Sequence, residues 1–126
     1  MKFVLDASAA LAVLNEEPGA DYVRARLEDS VIGAVNVVEV GSRLADVGIA
    51  SDDARRAFAL LHLPVIEFGV DLVETAVALR PMTRQLGLSL ADRACLALAI
   101  HRGAVALTSD RAWTKLDVGC EIELIR

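Results

Sequence analysis

Residues 2–15 read KFVLDASAALAVLN, and this stretch indicates the fold class of the chain. Its first four residues are mostly apolar and predict a short strand, since strands that are covered on both faces read as unbroken apolar runs. Asp6-Ala7-Ser8 then begins an alanine- and leucine-rich helix that we expect to reach about Asn15. A strand that leads directly into a helix is the repeating unit of parallel sheets.

The same alternation continues through the rest of the 126 residues. The predicted strands lie near residues 2–5, 31–35, 64–68, 105–108 and 121–125. The predicted helices lie near residues 8–15, 19–29, 36–48, 51–62, 70–80, 90–102 and 110–116. This order predicts a three-layer α/β/α sandwich with a central, mostly parallel sheet, and the length favours a single domain over residues 1–126.

Composition excludes several classes of protein. Hydrophobic residues make up 55% and charged residues 25%, which is typical of a folded domain and not of a disordered chain. The 13 basic against 18 acidic residues give a net charge of −5, so any binding of nucleic acid must come from a local site. Neither a signal peptide nor an apolar run of membrane-spanning length is found, and the two cysteines suit a reducing cytoplasm.

Four acidic residues fall at one predicted edge of the sheet. Asp6 follows the first strand, Asp110 lies two residues past the strand at 105–108, and Glu39 and Asp92 each sit about one turn into a helix. In a parallel sheet, the carboxyl ends of the strands and the amino ends of the connecting helices share one edge, where ligands bind. We therefore expect these four carboxylates, from four separate segments, to lie close together.

Helix capping offers a simpler explanation for each acid taken alone. Asn36-x-x-Glu39 and Ser89-x-x-Asp92 both have the capping-box pattern, and the two remaining acids suit N-caps. Capping gives no reason for four carboxylates to converge, because serine, threonine and asparagine cap helices equally well. Converged carboxylates repel one another unless a cation lies among them, so the pattern favours a metal site.

The oxygen ligands indicate which metal and which chemistry the site suits. Carboxylates favour Mg²⁺ or Mn²⁺ over zinc, which prefers cysteine or histidine. Two such ions about 3.5–4 Å apart would flank the phosphorus of a phosphodiester, one activating water and one the leaving oxygen. His62 and His101 are predicted at helix ends on the opposite edge, so a histidine base is not expected.

Four segments contain the acids described above, and they read VLDASA at 4–9, NVVEV at 36–40, LSLADRA at 88–94 and LTSDRAW at 107–113. Together these segments resemble the PIN-domain ribonucleases, most closely the VapC-like toxins of bacterial type II toxin–antitoxin pairs. The resemblance implies a cytoplasmic, Mg²⁺- or Mn²⁺-dependent endoribonuclease that cuts RNA by water attack. It also implies a homodimer and a cognate antitoxin that blocks the acidic groove with a basic or aromatic segment.

The resemblance also assigns roles to individual residues. Carried over motif by motif, the metal ligands and catalytic acids are Asp6, Glu39, Asp92 and Asp110. Ser8 and Thr108 match the small hydroxyl residues of the family, which orient the ligands by hydrogen bonds. Residues 48–87 match nothing diagnostic, so the choice of RNA target stays open.

Three further residues lie beside these acids in sequence. Arg93 and Arg111 are candidates for holding an RNA phosphate, although each is equally well explained as a surface or ion-pair arginine. Trp113 is expected to lie in the core and not to stack on a base. The apolar positions of the helices at 8–15 and 52–62 exceed what one core needs, which hints at a dimer or antitoxin surface.

Other classes of function stay open on the sequence alone. A haloacid-dehalogenase-like phosphatase also places acids at strand ends, but it needs a second aspartate where this chain has Ser8. A receiver-type signalling domain needs a lysine after a late strand, and the only lysines are Lys2 and Lys115. A third alternative is an inactive α/β module that only binds a partner.

Overall fold

The computed structural model describes residues 2–126, in which five strands form one sheet. The strands are β1 (Phe3–Leu5), β2 (Ser30–Gly33), β3 (Val65–Ile66), β4 (Val105–Thr108) and β5 (Ile122–Leu124). Their order is β3-β2-β1-β4-β5 and all neighbours run parallel, with Val4 of β1 opposite Val31 of β2 and Ala106 of β4. The predicted α/β sandwich is confirmed, and its sheet is parallel throughout these residues.

Helices cover both faces of the sheet. Within residues 2–126 they are α1 (Ala7–Leu14), α2 (Ala20–Arg24), α3 (Ala34–Asp46), α4 (Ser51–Ala59), α5 (Val70–Ala78), α6 (Arg80–Thr83) and α7 (Leu90–Arg102). The first four pack on one face, and α5 and α7 pack on the other. In the part of the chain that the structure describes, no helix is long and apolar enough to cross a membrane.

The core is divided by the alternation of side chains along the central strands. Leu5 of β1 and Leu107 of β4 point toward α1 and α3, whereas Val4 and Ala106 point toward α7. All four side chains are fully buried. Because successive strand residues face opposite sides, a strand between two helical layers must be apolar at every position. The indole of Trp113 is also fully buried, as predicted.

The start of α3 corrects one prediction. The helix begins at Ala34 with Gly33 as its N-cap, so Asn36 lies inside the first turn and forms no capping box with Glu39. Asn36 is instead 1% exposed, and its Nδ2 donates a hydrogen bond to the Ala91 carbonyl of α7 at 3.1 Å. An asparagine amide can bridge two helices as readily as it caps one, and only tertiary packing distinguishes these roles.

Three other elements differ from the sequence-based expectation. The helix predicted over 19–29 divides into α2 and a 3₁₀ turn at Leu27–Asp29, and β3 is confined to two residues. The apolar residues of α1 from Ala9 to Val13 are buried in the core of this one chain, so their number does not require a partner surface. Helix α4, by contrast, buries none of its residues fully.

Two glycines with left-handed backbone allow a direct test of this packing. Gly19 has φ of +96°, and a Cβ there would lie 2.7 Å from the Ile125 carbonyl oxygen, whereas Gly48, with φ of +85°, has open space around it. We expect Gly48→Ala to cost about 1–2 kcal/mol from backbone strain alone. Gly19→Ala should cost about 1–3 kcal/mol more, because the backbone at Gly19 and at Ile125 must move apart to make room for the Cβ. Urea unfolding of both variants measures the difference, and equal losses would contradict the close approach.

Candidate active site

The four predicted acids line one pocket at the carboxyl edge of the sheet. The chain passes from β1 to β2 and β3 on one side and then crosses to β4 on the other. The gap between β1 and β4 is therefore the topological switch point, where the direction of strand order reverses and where open α/β sheets bind ligands. The pocket has a volume of about 430 Å³ and opens over this gap. It is lined by Asp6, Ser8, Glu39, Arg43, Ser89, Asp92, Ser109 and Asp110.

Asp6 is the most buried acid of this pocket, with 5% of its surface exposed. It directly follows β1 and caps α1 by accepting the Ala9 N–H on Oδ1 at 2.9 Å. The same oxygen accepts the Ser8 hydroxyl at 2.6 Å, and Oδ2 accepts the Thr108 hydroxyl at 2.5 Å. Three donors therefore compensate a carboxylate that has lost its contact with water.

The two hydroxyls are themselves oriented by the backbone after β4. The N–H of Ser109 donates to Ser8 Oγ at 2.9 Å, and the N–H of Asp110 donates to Thr108 Oγ1 at 3.0 Å. Each hydroxyl accepts one hydrogen bond and thus directs its own proton toward Asp6. These contacts connect β1, α1 and β4 at the floor of the pocket.

Burial governs the charge of Asp6. The pKa of its carboxyl is raised from 3.8 to about 6, chiefly by desolvation, and the negative charge of Asp92 acts in the same direction. The hydrogen bonds from Ser8, Thr108 and Ala9 act in the opposite direction, because they stabilise the ionised form. A buried carboxylate with a raised pKa beside other acids is typical of sites that bind a cation or perform acid–base chemistry.

Asp92 and Asp110 are helix caps and pocket residues at the same time. Asp92 completes the predicted capping box of α7, in which Oδ2 accepts the Ser89 N–H at 2.9 Å. Asp110 caps the 3₁₀ turn at Arg111–Lys115, and its Oδ1 accepts the Ala112 N–H at 2.9 Å. Among residues 2–126, no donor contacts the other oxygen of either carboxylate. Capping thus fixes each side chain and leaves one oxygen for a ligand.

Glu39 enters the pocket from the second turn of α3. Its Oε2 lies 3.3 Å from Nη2 of Arg43, one turn further along the helix. Sequence reasoning missed Arg43 as a pocket residue. The signal was present, since a glutamate and an arginine four residues apart lie on one face of a helix. Glu39 was expected about one turn into the helix, and it lies in the second turn because α3 starts at Ala34.

The pocket suits a divalent cation by the chemistry of its oxygens. The lining residues offer four carboxylates and three serine hydroxyls, which are hard ligands, and no sulfur or imidazole. Within the described residues, no three Asp, Glu, His or Cys side chains are close enough to ligate one ion together. Mg²⁺ does not require this, because it keeps several waters and binds through one or two carboxylates.

The two arginines that follow pocket acids in sequence point away from the pocket. Arg93 donates from Nη1 to the Ala76 carbonyl of α5 at 3.0 Å, and Arg111 donates from Nη2 to the Arg126 carbonyl at 3.3 Å. Neither is among the residues that line the acidic pocket, and these contacts agree with the alternative that each is a structural arginine. The reason is geometric, since adjacent residues of a helix point about 100° apart.

The sheet and this pocket define an α/β protein with a carboxylate-lined site at the switch point of a parallel sheet. The sequence profile of the PIN domain matches residues 3–119, and the chain therefore belongs to the PIN domain family, a family of nucleases. No curated protein sequence matches the chain.

Several solved structures share the fold. A chain of VapBC2 from Rickettsia felis bound to a promoter DNA fragment superposes with a TM-score of 0.79 at 15% identity, over 98% of both chains. A toxin–antitoxin complex from Klebsiella pneumoniae gives 0.75 at 18% identity, over 99% of this chain and 98% of that one. VapC20 of Mycobacterium tuberculosis, a sarcin–ricin loop cleaving toxin, superposes with a TM-score of 0.67 at 16% identity, over 83% of this chain and 87% of that one.

The raised pKa of Asp6 predicts an unusual pH dependence of stability. Because its folded-state pKa is about 6 and its unfolded value 3.8, the folded protein binds the proton more tightly between these values. In EDTA, the free energy of unfolding should therefore rise by about 1 kcal/mol between pH 7.5 and pH 5. Urea unfolding at both pH values measures this change.

The control for this prediction is Asp6→Asn, which cannot ionise. In this variant we expect the free energy of unfolding not to rise between pH 7.5 and pH 5. We also expect the variant to be more stable than the parent chain at pH 7.5. Ser8→Ala and Thr108→Val should enlarge the effect, because each removes a donor that stabilises the ionised carboxylate. An identical pH dependence in the parent and in Asp6→Asn would show that Asp6 is ionised throughout this range.

Proposed function

We propose that this chain is a Mg²⁺- or Mn²⁺-dependent endoribonuclease that hydrolyses phosphodiester bonds of RNA. The observation that carries the proposal is the convergence of Asp6, Glu39, Asp92 and Asp110, from four separate segments, on one pocket. Membership of the PIN domain family supports nuclease chemistry. RNA as the substrate is supported by the similarity in fold to a toxin that cleaves the sarcin–ricin loop.

The four carboxylates would surround the cation, which would bind one or two of them directly and the others through its waters, with Asp6 fixed at the floor of the pocket. When bound, a divalent ion lowers the pKa of water and neutralises charge on the phosphate that is attacked. Ser8 and Thr108 keep Asp6 oriented by donating to both of its oxygens. Asp92 and Asp110 each retain one carboxylate oxygen beyond the one used for capping. The pocket is thus organised in advance for ligation.

The described residues provide no alternative machinery in this pocket. No histidine, cysteine or lysine is among its lining residues, so a protein nucleophile or imidazole base does not fit. His101 lies at the end of α7, roughly 13 Å along the helix from Asp92. A phosphatase of the aspartyl-nucleophile type is also disfavoured, because its second aspartate is replaced by Ser8, whose hydroxyl donates to Asp6.

We further propose that the protein is the toxin of a type II toxin–antitoxin pair, as one domain over residues 1–126 that forms a homodimer. The similarity in fold to toxin–antitoxin complexes supports this proposal. A second observation agrees with a protein partner. A groove of about 450 Å³ between α3 and α4 is mainly apolar, and Val38 on its rim is 68% exposed. Exposed apolar side chains that line a groove suit a contact with another protein chain.

The nuclease proposal predicts that cleavage depends on the pocket acids and on a divalent ion. Purified protein should cut single-stranded RNA in Mg²⁺ or Mn²⁺ and lose this activity in EDTA. Asp6→Asn and Asp92→Asn should each lower the rate at least about 100-fold, because each removes an anionic ligand. Gel analysis of end-labelled RNA measures cleavage, and thermal unfolding verifies that the variants are folded.

Asp117→Asn is the matched control, since it makes the same chemical change outside the pocket. It should cut RNA at the parental rate. If Asp6→Asn and Asp92→Asn cut as fast as the parent, or if EDTA has no effect, the metal mechanism is wrong. If the folded parent protein cuts no RNA in either ion, the inactive partner-binding module becomes the better description.

A further inference from the structure

Arg43 is the one basic residue among those that line the acidic pocket. It lies on α3 one turn after Glu39, and its Nη2 contacts Glu39 Oε2 at 3.3 Å. Its side chain is 62% exposed, whereas that of Glu39 is 25% exposed. The guanidinium therefore lies at the border of the pocket and remains accessible to solvent.

Two similar ion pairs show what is distinctive about this arginine. Arg55 pairs with Asp52 and Arg56 pairs with Asp53, each at 3.2 Å, on the exposed surface of α4. Those acids do not line the acidic pocket, and their pairs are ordinary for a solvated helix. Only Arg43 shares its partner with the predicted cation site.

Arg43 also lines a second cavity beside the pocket. This cavity, of about 410 Å³, lies between α1 and α3, and Arg43 is the one residue of the described chain that lines both spaces. The other residues that line it are Leu11, Asn15, Leu44 and Val47 and the two acids Glu17 and Asp46. Among residues 2–126, Arg43 is therefore the one basic side chain along two adjoining spaces that are otherwise acidic or uncharged.

We infer that Arg43 is a switchable phosphate-binding residue, which pairs with Glu39 in the free protein and contacts a phosphate oxygen of bound RNA. This inference rests on the proposed ribonuclease function. Exposed ion pairs along a helix are weak, so a cation that engages Glu39 releases the guanidinium readily. Arginine then suits phosphate, because its planar donors match two oxygens at once.

The inference predicts that Arg43→Gln weakens the binding of RNA and strengthens the binding of Mn²⁺. The KM for single-stranded RNA should rise about tenfold, with a smaller change in kcat, because one charged hydrogen bond to the substrate is lost. The slope of log KM against log salt should fall by about 0.7, the value for one phosphate contact. Binding of Mn²⁺ without RNA, measured by calorimetry, should tighten about threefold, since Glu39 loses its competitor.

Two further variants separate this role from a structural one. Arg56→Gln removes the same charge from a similar ion pair outside the pocket, and it should leave KM, salt slope and Mn²⁺ affinity unchanged. Arg43→Lys keeps the positive charge but lacks the paired donors of a guanidinium. Its slope of log KM against log salt should therefore equal that of the parent, and its KM should lie between those of the parent and of Arg43→Gln.

The possible outcomes are distinct. The inference is overturned if Arg43→Gln leaves the RNA parameters at parental values, or if it raises KM without changing the salt slope. Weaker Mn²⁺ binding in that variant would also overturn it, because Arg43 would then support the cation site and not compete with it. If the parent protein cuts no RNA at all, the proposed function itself fails, and this inference fails with it.

Discussion

The burial of one carboxylate is the constraint on which the rest of this structure depends. Asp6 ends the central strand of the sheet with only 5% of its surface exposed, where an uncompensated charge would be very costly. Its compensation comes from the turn that follows it, through Ser8, and from the neighbouring strand, through Thr108. The switch point of the sheet is therefore held together by the same hydrogen bonds that fix the orientation of Asp6.

Capping and ligand binding are not competing explanations for the acids of this pocket. Asp92 and Asp110 each use one oxygen to accept a backbone N–H at the start of a helix or 3₁₀ turn. That hydrogen bond restricts the rotation of the carboxylate, and the second oxygen remains available. A helix amino terminus thus supplies a fixed acid to the carboxyl edge of a parallel sheet at little conformational cost.

Charge explains how an acidic protein can act on an acidic substrate. With a net charge of −5 and four carboxylates in the pocket, the protein repels a phosphodiester unless a cation is present. Under the proposed function, the divalent ion neutralises the acids and Arg43 then adds a positive charge beside them. Arg43, which pairs with Glu39 in the free protein, would thus contact a phosphate only after the ion has bound.

The sequence by itself determined the strand–helix alternation, the parallel sheet and the edge that gathers Asp6, Glu39, Asp92 and Asp110, because these follow from local hydropathy and chain direction. It did not determine which way individual side chains point. The bridge from Asn36 to α7 and the turning of Arg93 toward α5 depend on where a helix starts and on what packs against it. The spacing of Glu39 and Arg43 put both side chains on one face of a helix, but only the tertiary structure decided that this face borders the acidic pocket, since neighbouring elements are not a local property.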